Sequence, residues 1–80
     1  MKNPYLLIVV NEDQTVKVTR GSDKSNCIKK YLQYPIDDPI IGSMKQPELI
    51  RRLESWCDRT ESKHEFQVLN LDELTISRIF

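Results

Sequence analysis

The chain has 80 residues, of which 39% are hydrophobic and 30% charged, and its 12 basic side chains are balanced by 12 acidic ones. That is the composition of one small folded domain, and it excludes a disordered tail, a low-complexity segment and a uniformly basic nucleic-acid binder. A domain of this length buries only roughly 60% of the surface its unfolded chain exposes, so it has few layers with which to cover apolar elements.

The first element is the apolar run Tyr5-Leu6-Leu7-Ile8-Val9-Val10. Side chains alternate between the faces of a strand, so such a run asks for burial on both sides. It is too short for the hydrophobic region of a secretory signal, lacks a small-residue cleavage site, and falls far below the ~20 residues of a membrane helix. A cytoplasmic protein is expected, and the absence of an Asn-x-Ser/Thr sequon agrees with this.

The polar stretch Asn11-Glu12-Asp13-Gln14 predicts a turn, and Thr15-Val16-Lys17-Val18-Thr19-Arg20 alternates as a half-exposed strand does. A hairpin follows, with a loop of three to five residues because Asn-Gly and Asp-Gly are missing. Ser22 to Ser25 offers several N-caps, and Cys27, Ile28, Tyr31 and Leu32 share one helical face, predicting a helix from about Lys24 to Gln33 that Pro35 ends. Tyr34 to Met44 holds two prolines and a glycine and is expected to be a loop, packed down by Ile36, Ile40, Ile41 and Met44.

Pro47 suits the first turn of a helix, Glu48 favours its positive end, and Leu49, Ile50, Leu53, Trp56 and Cys57 form an apolar stripe, so a helix is expected from Pro47 to about Thr60. After the polar connector Glu61 to Glu65, Phe66 to Leu71 is expected to pair beside the first strand and make it central. The tail fits two patterns: a short helix capped by Asp72 and carrying Leu74, Ile76, Ile79 and Phe80, or an alternating strand. The expected fold is α+β over residues 1–80. A small antiparallel-rich sheet, made of the N-terminal hairpin and a third strand, carries the main amphipathic helix on one face and a second, shorter helix.

Catalytic chemistry finds little support. The sole imidazole, His64, lies in a polar connector, and a dyad with Cys57 is the only nucleophile and base pairing available. The carboxylate pairs Asp37-Asp38 and Asp72-Glu73 are adjacent residues that point apart, which suits caps and loops better than acid/base work. Cys27 and Cys57 fit two reduced thiols, a single bridge between neighbouring helices, or part of an incomplete zinc site. With only Gly21 and Gly42, a glycine-rich phosphate loop is excluded. Neither a catalytic residue nor a metal or other cofactor is therefore expected.

Two surfaces remain. Either Tyr5/Leu7/Val9 or Leu6/Ile8/Val10 should lie under the Trp56 helix, and the other face must be met by the tail, the Ile-rich loop or another chain. The candidate interface comprises Tyr5, Leu7 and Val9 with Tyr31, Tyr34 and Trp56. The second surface is basic: residues 1–30 carry six basic and three acidic groups, against six and nine in residues 31–80. Lys17, projecting from the open face of the second strand, would join Arg20, Lys24, Lys29 and Lys30. The leading expectation is a non-enzymatic interaction module, a small adaptor, inhibitor or subunit of bacterial or phage origin, binding a protein partner or a second copy of itself. Nucleic-acid association through the basic patch is the alternative, and no membrane partner is expected.

Overall fold

The architecture follows from how the apolar run is covered. A computed structural model of the chain describes residues 2–60 and 64–79, so Glu61, Ser62 and Lys63 of the expected connector and Phe80 of the tail lie outside the described residues. Strands β1 (Tyr5–Val10), β2 (Val16–Gly21), β3 (Glu65–Asn70) and β4 (Thr75–Arg78) form one antiparallel sheet in the order β2-β1-β3-β4. The most apolar strand is thus central, flanked on both sides, as expected. Helices α1 (Lys24–Tyr31) and α3 (Gln46–Thr60) lie on one face of the sheet, and the single turn α2 (Pro39–Gly42) connects them. The result is the expected α+β fold, with a fourth strand added.

Local chemistry sets each boundary. The first hairpin closes through Asn11 N–H to the Thr15 carbonyl (2.9 Å) and Gln14 N–H to the Asn11 carbonyl (3.0 Å), with Gln14 at φ 71. This is a type I turn followed by a left-handed bulge residue. Asp13 braces it, accepting from the Thr15 N–H at 3.0 Å and hydroxyl at 2.6 Å. Asp23 caps α1 through the Asn26 N–H at 2.8 Å, and the helix ends in a Schellman motif. There Gln33, at φ 62, donates to the Lys30 carbonyl and Tyr34 to the Lys29 carbonyl. That motif, and not Pro35, is the stop, and α1 ends at Tyr31 instead of Gln33.

The tail resolves to strand. Asn70 Oδ1 accepts from the N–H groups of Asp72 (3.0 Å) and Glu73 (3.1 Å), and Leu74 at φ 55 completes the reversal into β4. Asp72 therefore sits within a hairpin loop and caps no helix. Part of the expected Tyr34–Met44 loop is also helical. Asp38 caps α2 through Ile40 and Ile41 (2.8 and 3.3 Å) with Pro39 in the first position, the arrangement that the Asp-Pro pair favours.

The core lies between the sheet and the two longer helices. Leu7, Val9, Phe66 and Val68 from the sheet meet Cys27, Ile28, Tyr31, Leu49 and Leu53 from the helices, with Met44 at the margin. This corrects the candidate interface. Leu7 and Val9 are 0% exposed and Tyr31 is buried, so none of the three offers a surface to a partner. Tyr5, Tyr34 and Trp56 are half-buried against the same core.

Candidate protein-interaction face

Because β1 turns Tyr5, Leu7 and Val9 toward the helices, Leu6, Ile8 and Val10 point the other way. The registers align them with Arg20, Val18 and Val16 on β2 and with Leu69, Gln67 and Glu65 on β3, and Ile76 and Arg78 extend two of those rows onto β4. Seven of these eleven positions are aliphatic. An antiparallel sheet with one solvated face normally alternates apolar inward and polar outward. This sheet does not.

No described element covers that face. The tail, one of the expected covers, joins the sheet edge as β4, and the Ile-rich loop sends Ile41 and Met44 to the helix-side core. The molecule measures 31 × 30 × 17 Å, a thickness that fits one sheet and one helical layer. Consequently Val16, Val18 and Ile76 are 57%, 55% and 61% exposed, while the central residues Leu6, Ile8, Val10 and Leu69 are half-buried among their neighbours. Charge is confined to Arg20, Glu65 and Arg78 at the margins. The Arg20 Nε donates to the Asn3 carbonyl at 2.8 Å and is held at its corner.

The basic patch is divided by the same alternation. Lys17 pairs with Val9 on the helix-covered face, where its ammonium lies 5.1 Å from the centre of the Tyr31 ring, so it does not project from the open face. Lys29 is 5% exposed, and the Lys30 Nζ donates to the Arg20 carbonyl at 3.0 Å. Lys24 opens α1 and is half-buried. Of the five cations, Arg20 alone belongs to the open face.

On the other face the aromatic candidates meet one another. Tyr31 contacts Trp56 edge to face at 5.4 Å and Phe66 at 5.6 Å, while His64 lies 5.3 Å from Trp56 and 5.9 Å from Phe66. Such pairs stabilise a core beyond the area they bury. His64 is therefore no solvated connector residue. Both of its ring nitrogens are buried, without a hydrogen-bond partner among the described residues. It borders a shallow recess of ≈ 330 Å³ with Val10, Asn11, Glu12, Gln14 and Glu65, a lining without a nucleophile.

Cys27 and Cys57 are both free. Burial pushes each thiol above its ordinary range, with Asp23 adding to the effect at Cys27 and Asp58 and Glu54 at Cys57. These surroundings disfavour the thiolate, the opposite of what an activated nucleophile needs. Among the described residues no group of three or more His, Cys, Asp or Glu could hold a metal ion, and no helix is long and apolar enough to cross a membrane. No protein-family model, curated protein or solved structure matches this chain.

The open face was partly visible in the sequence as the Leu6/Ile8/Val10 set. Its extension to Val16, Val18, Leu69 and Ile76 was missed. The signal was available in β2, whose Val16 and Val18 are two apart and so share one side of the strand.

Proposed function

We propose that this chain is a non-enzymatic protein-interaction module, a small adaptor, inhibitor or subunit, that binds through the open face of its sheet. The observation that carries the reading is the aliphatic field of Leu6, Ile8, Val10, Val16, Val18, Leu69 and Ile76 on a face that no described element covers. Contiguous apolar surface rimmed by charge marks interaction sites. Covering the three most exposed of these side chains contributes roughly 1 kcal/mol each, with smaller gains from the central four. Set against the cost of association, this suits a reversible partner of modest affinity. We infer a cytoplasmic setting, which agrees with two unbridged thiols.

The test is affinity capture from lysate after nuclease treatment, comparing the wild-type chain with Val18→Lys/Ile76→Lys. A captured protein should be lost from the double variant. Capture that persists in the variant, or that disappears with nuclease alone, would overturn the reading.

A further inference from the structure

Resting on that reading of the open face, we propose that its occupant is a second copy of this chain, docked sheet on sheet about a two-fold axis, with the two strand directions crossing at about 70°. Three strands of six residues and one of four, about 4.8 Å apart and at about 3.4 Å per residue, give a face of about 20 by 20 Å at its widest. Two such corrugated faces together bury on the order of 1,000 Å², which meets the lower bound for a specific, weak dimer. An extended peptide would cover only part of the aliphatic field. A copy of the same sheet matches its whole extent.

Charge favours the same occupant. The chain is formally neutral, so no net repulsion holds two copies apart. On the open face, Arg20 of β2 and Glu65 of β3 occupy diagonal corners, two strands and two rows apart. That separation is about 17 Å on the sheet lattice, too far for the two to pair within one chain. Ile8 lies at the midpoint between them.

A two-fold axis running through Ile8 between the sheets, perpendicular to that diagonal, sets each Arg20 opposite Glu65 of the second copy. The axis packs Ile8 on its own counterpart, brings Val18 over Val10, and runs out over Ile76. It also crosses the strands of one sheet with those of the other at about 70°, nearer to the orthogonal than to the aligned way in which sheets stack. A partner of different sequence would need an aliphatic field of this size and two opposite charges at matching corners. The second copy supplies the field and the Arg20/Glu65 pairing, with Arg78 left at the rim of the seam.

The experiment is sedimentation equilibrium of the full chain across micromolar to millimolar concentrations, at low salt. Wild type should shift from monomer to dimer mass. Arg20→Glu and Glu65→Arg should each weaken the dimer by about tenfold or more through like-charge contact, and the combined swap should restore it to within about threefold. A thermal melt by circular dichroism at dilute concentration checks that each variant is folded. A wild type that stays monomeric, a dimer indifferent to both single reversals, or folded double-swap protein that fails to recover would overturn the proposal. The broader reading is separable: if the chain is monomeric yet captures a protein that Val18→Lys/Ile76→Lys loses, the second copy is excluded and the interaction module stands.

Discussion

Two glycines show how much a single hydrogen can decide. A Cβ at Gly21 would stand 2.9 Å from both the backbone nitrogen and the Sγ of Cys27, closer than packed atoms approach. Backbone cannot step aside as a flexible side chain can, so Gly21→Ala should destabilise by roughly 1 to 3 kcal/mol in urea denaturation. At Gly42, which ends α2, the nearest atom to such a Cβ is 3.7 Å away and φ is not positive. Gly42→Ala should therefore be neutral or raise stability by up to about 1 kcal/mol, mainly by restricting the unfolded chain. Asp13 offers a titratable counterpart. Its carboxyl is held below its ordinary range, first by the Thr15 hydroxyl and then by the Thr15 N–H. Folding thus favours the carboxylate, and the contribution is complete above the ordinary carboxyl range and lost as pH falls through the lowered folded value. Asp13→Asn should consequently trail wild type near neutrality and converge with it in acid, as followed by urea midpoints against pH.

At the scale of elements, α3 is where propensity and packing agree most closely. Its apolar stripe places Leu49 and Leu53 at 0% exposure, and Glu48 bonds Arg52 at 3.4 Å on the solvent side. That exposed pair is screened by solvent and contributes little, so the helix is held by its buried face. Leu53→Ala should cost about 2 to 5 kcal/mol, and Glu48→Ala well under 1, measured on the same urea curves. This helix was legible for that reason: one period, a proline and a glutamate in the first turn and one buried stripe all point the same way. The tail was not. Leu74, Ile76, Ile79 and Phe80 fit either period over so short a stretch, and what decides is the turn at Asn70, whose side chain binds two backbone N–H groups. The end of α1 was obscured similarly, because a left-handed residue there is normally glycine or asparagine and here is Gln33. The candidate interface erred at the level of the sheet. A six-residue apolar strand announces that both faces need cover, and leaves open which one the helices take.

For the whole molecule, that choice divides an apolar set between a dry side and a wet one. His64 was misplaced for the complementary reason. Its sequence neighbours are polar, and its partners Trp56 and Phe66 come together only once α3 and β3 are packed. A final consequence concerns β4. All four of its residues are exposed, and it shields the outer edge of β3, where the Phe66 carbonyl accepts from Ile79 at 3.0 Å. Short, exposed edge elements open at the lowest free energy in a fold. When β4 peels away, it takes Ile76 and Arg78 from the open face and bares a six-residue edge that includes Phe66 and Val68. The β3–β4 hairpin is therefore a guard: while β4 is attached the edge of β3 stays paired, and on its release that edge becomes a template for added strands.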